Sequence, residues 1–174
     1  MSLGDGGGQA AMRATAHPVR LQIMSLLTGA PMTAAEVARE LGLTHANASY
    51  HLRTLRSAGM IFVAGEEKIR GGLAKRYRYD AARDAASETP EQKRALFAAL
   101  GNELVRRTAS GKFASKTLLG DGEFWVDPDK WLDLRHRFKA LVAELHEAAQ
   151  PPRTPGTIHT STTVAMFEME SRHE

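Results

Sequence analysis

The residue types that do chemistry in enzymes are present in this chain, but none stands in a recognisable catalytic motif. There is no nucleophile elbow, no HExxH, no glycine fingerprint behind a strand and no Walker loop. The GDGGG near the start has no strand before it and no Gly-Lys-Ser/Thr after it. Asp127 and Asp129 flank Pro128 and read as a helix start, not as paired acids. An enzyme is therefore not expected. The chemistry on offer is hydrogen bonding, concentrated in one stretch: Thr44, His45, Asn47, Ser49, Tyr50, His51, Arg53 and Thr54, with the small Ala46 among them. Amide, hydroxyl and imidazole groups of this kind can read base edges, and Arg and Tyr can bond phosphates.

These side chains need a rigid support, and the spacing of apolar residues supplies one. Ala34, Val37, Ala38 and Leu41 recur at three and four, which places them on one face of a helix. Gly42 ends that helix, since glycine enters the left-handed region without a Cβ clash. Thr44 is the expected N-cap of the next helix, whose inward stripe is Ala48, Leu52 and Leu55. At about 100° per residue, Ala46, Tyr50, Arg53 and Ser57 lie opposite that stripe, flanked by Asn47, Ser49 and Thr54. From Thr44 to Gly59 there is no acid. A helix that only covers a core tends to show Glu and Lys outward; this face suits a close approach to a polyanion. His51 sits about 60° from the inward stripe, so packing at the helix boundary competes with a phosphate contact for it.

Two β-prone runs follow. Met60–Ala64 reads as one strand and Leu73–Tyr79 as another, with GEEKIRGG as the turn between them. Lys68, Arg70, Lys75 and Arg76 make this hairpin basic, although Glu66 and Glu67 dilute it. Two uses are open: a finger along the phosphates or in the minor groove, and a structural hairpin whose charges protect an exposed edge.

Charge supports the first use. From Ala11 to Asp80 there are ten Lys and Arg against five acids, while from Ala81 to Glu174 there are thirteen against fourteen. A basic half joined to a near-neutral half suggests that only the first meets a polyanion. The 174 residues carry 43% hydrophobic and 25% charged side chains, an ordinary globular balance. No apolar run is long enough to span a bilayer and the start lacks a signal-peptide pattern, so no membrane partner is expected and the cytoplasm is the expected compartment. The absence of cysteine removes disulfides and thiolate metal sites.

Taken together, His17–Asp80 resembles the winged helix-turn-helix domain of ArsR-like, or arsenic-repressor-like, bacterial transcriptional regulators. The resemblance rests on H-P-x-R at 17–20, the leucine run from Leu21, A-x-x-L-G-L at 38–43, S-x-H-L at 49–52 and L-x-x-A-G-x-I at 55–61. It implies a homodimeric, sequence-specific DNA-binding regulator in which His45, Ala46, Asn47, Ser49, Tyr50, His51 and Arg53 meet DNA. The cysteine site of the metal-sensing members is missing. Asp133, His136, His146 and Glu147 are the candidates for a substitute. His146 falls about 80° off the face shared by Asp133 and His136, which does not suit a tetrahedral ligand set, so no metal and no cofactor are expected.

The rest of the chain is of another kind. Residues 1–11 are glycine-rich and expected to be disordered, the domain is expected over 12–80 and a polar linker over 81–89. Thr89-Pro90-Glu91-Gln92 opens a helix carrying Leu96, Phe97, Leu100 and Leu104. Asp127-Pro128-Asp129 opens another, with Trp131, Leu134, Phe138, Leu141, Leu145 and Ala148 at alternating gaps of three and four, a coiled-coil-type seam. Leu96, Leu100, Leu104 and the seam residues Trp131, Leu134, Phe138, Leu141 and Leu145 are the expected dimer contacts, with packing of these two helices against each other inside one subunit as the competing use. Glu123–Val126 and Thr157–Glu170 read as short strands. Phe124, Trp125, Met166 and Phe167 are candidates for an effector pocket or, alternatively, for core.

The expected fold is thus mainly α with a two-stranded wing: a winged helix-turn-helix followed, over 90–174, by an α-rich dimerisation region with short β segments. The expected partners are double-stranded DNA and a second copy. A protein-interaction module on the same fold is the alternative, as is a regulator that senses a small molecule through its second half.

Overall fold

The computed structural model describes residues 17–79, 89–113 and 117–170. The N-terminal tail expected over 1–11, the first residues of the expected domain and nearly all of the expected linker lie outside them. In chain order the elements are α1 (Pro18–Gly29), α2 (Ala34–Leu41), α3 (His45–Ser57), β1 (Ile61–Ile69), β2 (Gly72–Tyr79), α4 (Pro90–Thr108) and α5 (Pro128–Ala148).

Local chemistry sets each boundary in the first half. His17 caps α1, its Nδ1 accepting from the Val19 N–H at 3.3 Å, and Pro18 opens the first turn. Thr33 and Glu36 form a capping box at the start of α2. Gly42 ends α2 at φ 65°, where a side chain would be strained. Thr44 caps α3, its hydroxyl oxygen accepting from the Asn47 N–H at 3.2 Å. Ile23, Leu27, Val37, Ala48, Leu52 and Leu55 are wholly buried where α1, α2 and α3 meet.

The hairpin is longer than the sequence led us to expect. β1 continues through Glu66, Glu67 and Lys68 to Ile69, and these residues pair with β2 instead of forming the turn. Glu66 stands opposite Lys75, a favourable cross-strand pair that extends the ladder. A register shift between Val63 and Gly65 marks a bulge, and the chain reverses only at Arg70-Gly71, where Gly71 takes φ 100°. Met32, ahead of α2, bonds Tyr77 through both backbone groups, at 3.0 and 2.8 Å. The wing is thereby tied to the helices by main chain.

In the second half, Thr89 and Gln92 form the capping box of α4, and Leu96, Ala99 and Leu100 pack against the core of the first half. Leu96 and Leu100 thus lean on the core of the first half, a use neither of the two expectations named. Glu103 is 4% exposed and is held by Arg106 at 2.7 and 2.8 Å and by Arg107 at 2.9 Å. The Arg106 hydrogen bonds outweigh the effect of burial and keep its carboxyl below the usual range. Asp127 caps α5 by accepting from the Asp129 and Lys130 N–H groups at 3.0 and 3.1 Å.

The short strands expected at Glu123–Val126 and Thr157–Glu170 do not form. β-prone residues need a neighbouring edge, and here the second segment is engaged through side chains by the helices. Phe167 meets Phe97 of α4 with ring centroids 5.3 Å apart, and the Trp131 indole N–H of α5 donates to Glu168 at 3.1 Å.

Candidate nucleic-acid interface

α3 separates its two faces cleanly. Ala48, Leu52 and Leu55 have no exposure, whereas Thr44, His45, Ala46, Asn47, Tyr50 and Arg53 are exposed on the outside. Ser49 is half-buried at the edge. Thr54 is also half-buried and its hydroxyl donates to the Tyr50 carbonyl at 3.0 Å, so its proton is committed to the helix backbone. Arg56, which sequence reasoning passed over, is exposed one turn beyond Arg53; the i, i+3 spacing of the two arginines was the available signal.

His51 does not belong to this surface. It is 5% exposed, and its ring lies 4.8 Å from that of His17 at 48° and 5.3 Å from that of Tyr50 at 66°. Its Nδ1 is buried without a hydrogen-bond partner among the described residues. Burial, followed by the charges of His17 and Arg20, holds its pKa below the ordinary imidazole value, so the neutral form is favoured. The 60° offset from the apolar stripe was enough to turn it inward, because α1 reaches over that edge of α3. His51 therefore faces the interior and not the outer side of α3, where a contact with DNA would be made.

On the wing, Lys68, Arg70 and Lys75 are exposed along the outer part of the hairpin. Arg76 is engaged elsewhere. Its guanidinium donates to the Pro31 carbonyl at 2.7 Å, lies 3.5 Å from the Glu36 carboxylate of α2, and bonds Glu67 on the facing strand. A guanidinium with three partners in its own chain fixes the wing to α2 and is not free for phosphate. The reason is positional: Arg76 precedes Tyr77, whose backbone pairs with Met32, which brings its side chain over the start of α2.

Among the described residues no group of three or more His, Cys, Asp or Glu comes together as a metal set. Asp133 accepts from Lys130 at 3.1 Å and lies 3.7 Å from Arg137; the Lys130 hydrogen bond is the main cause of its lowered pKa. Among the same residues no helix is long and apolar enough to cross a membrane.

Three helices around one core, the third presenting a polar, acid-free face, followed by a hairpin docked through main chain, define a winged helix-turn-helix fold. Residues 15–63 match the family described as "Helix-turn-helix domain". The resemblance to ArsR-like winged-helix regulators, carried by 17–80, overlaps this match over 17–63. Among solved structures, the chain is similar to one titled "Crystal structure of Possible transcriptional regulator for arsenical resistance", at 24% identity over 59% of this chain and 96% of the other, with a TM-score of 0.34. It is also similar to HlyU from Vibrio cholerae N16961, at 22% identity over 64% and 100%, with a TM-score of 0.36. No curated protein matches it. Both structural likenesses are distant, and the functional reading rests on the chain's own geometry.

Proposed function

We propose that this protein is a cytoplasmic transcriptional regulator that binds a roughly palindromic duplex operator as a homodimer. The observation that carries the reading is the outward face of α3, where Thr44, His45, Ala46, Asn47, Tyr50 and Arg53 stand free of acids while Ala48, Leu52 and Leu55 anchor the helix. In this reading Asn47 and His45, exposed near the start of α3, read base edges, with Ala46 allowing close approach. Tyr50 and Arg53 meet the phosphates, and the exposed Lys68, Arg70 and Lys75 meet the backbone beside the wing.

The homodimer is inferred from α5. Phe138, Leu141 and Leu145 are exposed along the seam with Leu132 beside them, an apolar stripe that a single chain leaves uncovered. Leu104 on α4 is exposed as well. Pairing covers these stripes and sets two reading helices against two half-sites, which multiplies the discrimination of a single module. Selection of bound duplexes from a random pool tests the proposal. It predicts recovery of an inverted repeat; recovery of unrelated sequences with no salt-dependent affinity would assign the fold to protein interaction instead.

A further inference from the structure

Ahead of α5 runs a stretch with no secondary structure, 117–126, in which Leu118 is 96%, Leu119 89%, Phe124 78% and Trp125 97% exposed. Four large apolar side chains in so few residues form a surface that folded proteins seldom leave in water. The same stretch is acidic. From Thr117 to Asp129 the chain has Asp121, Glu123, Asp127 and Asp129 and no Lys or Arg. Asp127 is used as the α5 cap, whereas Asp121 and Glu123 have no ion pair among the described residues.

The complement lies further along. The middle of α5, Leu134–Val142, carries Arg135, His136, Arg137 and Lys139 and no acid. Between α5 and the chain that follows it is an open groove lined by Arg135, Phe138, Lys139, Val142, Val164 and Met166. Arg137 is drawn to Asp133, but Arg135 and Lys139 have no ion pair among the described residues. An apolar floor with a basic edge suits an apolar, acidic strip of chain. Within its own protomer the strip does not fill this groove, since Leu118, Leu119 and Trp125 are almost wholly exposed.

We propose that the 117–126 segment of each protomer occupies the α5 groove of a second copy. Phe124 and Trp125 lie on the apolar floor, and Asp121 and Glu123 face Arg135 and Lys139. From Arg135 to Val142 the groove covers about 11 Å of helix at 1.5 Å per residue, and Asp121 to Trp125 covers about 13 Å at 3.3 Å per extended residue, so that part of the segment fits along it. In a two-fold pair both arms close by the same contact. The inference rests on the homodimer reading and deepens it: the seam supplies the helix contact, and the exchanged arms supply the selectivity of one copy for another.

The test is a charge exchange on the full chain, read by sedimentation equilibrium. Arg135→Glu with Lys139→Glu, and separately Asp121→Lys with Glu123→Lys, are each expected to weaken dimerisation about tenfold or more. In an equimolar mixture both arm-and-groove pairs of the heterodimer are complementary, one as in the wild type and one with its charges exchanged, so the heterodimer is expected to form in preference to either homodimer. The part of the tryptophan emission that Trp125→Phe removes is expected to be blue-shifted and to resist acrylamide only at concentrations where the dimer forms. Charge reversals that leave the dimer constant unchanged, or Trp125 emission typical of water in the dimer, overturn the arm exchange while leaving the dimer standing. Protection of Trp125 that does not depend on concentration also overturns it, since the arm then lies in its own protomer. A wild-type chain that stays monomeric throughout defeats the homodimer reading and the exchange together.

Discussion

The guanidinium of Arg76 on the wing lies 3.5 Å from the carboxylate of Glu36, the same carboxylate that accepts from the Thr33 N–H at 2.7 Å to start α2. One acid therefore sets where the second helix begins and how the hairpin meets it. Arg76→Ala is expected to cost about 1–3 kcal/mol in urea unfolding, because the Pro31 carbonyl and Glu36 both lose a charged donor. Arg76→Lys recovers only part of this, since an ammonium lacks the planar fork. A loss confined to the salt slope of DNA binding, with unchanged stability, would return Arg76 to the phosphate contacts.

Arg53 tests the reading face itself. Arg53→Ala is expected to weaken operator binding and, through loss of one phosphate contact, to flatten the dependence of log K on log salt by about one unit. The side chain is exposed, so thermal unfolding should stay close to wild type. Fluorescence anisotropy at several salt concentrations measures both quantities, and an unchanged slope removes Arg53 from the interface.

His51 gives the chain a defined pH response. Its folded pKa is depressed by burial and by the neighbouring His17 and Arg20, while the unfolded imidazole titrates near its ordinary value of about 6.5. Between those two values the unfolded chain binds more protons than the folded one, so stability falls as pH drops below about 6.5. Its contribution is fully present above that pH and levels off below the folded value. Urea titrations across this range should show the decline in wild type and a flatter profile in His51→Gln; parallel profiles would deny the imidazole this role.

Leu141 is 61% exposed on the α5 seam, so its replacement should leave the monomer fold intact. Leu141→Glu is expected to shift the chain toward monomer and to lower operator affinity about tenfold or more, with unchanged far-UV circular dichroism. A variant that still sediments as a dimer would place the contact on another surface.

Gly42 isolates the turn. At φ 65° with open space around it, Gly42→Ala meets no clash and costs only the left-handed conformation, about 1–2 kcal/mol of stability. Operator affinity per folded molecule should hold if the turn relaxes in place.

The helices of the first half were legible because their signals are local. Thr33 with Glu36, Gly42 and Thr44 act within a few residues, and Ala48, Leu52 and Leu55 repeat at helical spacing. The outer face of α3 followed from the same spacing. What escaped the sequence depends on residues far apart in the chain. Nothing near Arg76 announces Pro31, 45 positions earlier, as its partner. The His17 ring that meets His51 belongs to another helix start. The β-prone Thr157–Glu170 was misread because propensity records a preference for a pleated surface, not whether an edge is there to pair with. The extent of β1 was misjudged for a related reason: Gly65 looks like a turn residue, yet it marks a bulge inside a continuing strand.

Beyond α5 the chain bends back at Pro151-Pro152, and Arg153, in the left-handed region at φ 67°, reaches Glu40 at the end of α2 at 3.3 Å. Leu96 and Leu100 of α4 already rest on the front core, so the rear of the molecule is moored to the front at two separate points. In the proposed dimer, a partner resting on α5 would therefore stand one ion pair and one short turn away from the helix proposed to enter the groove.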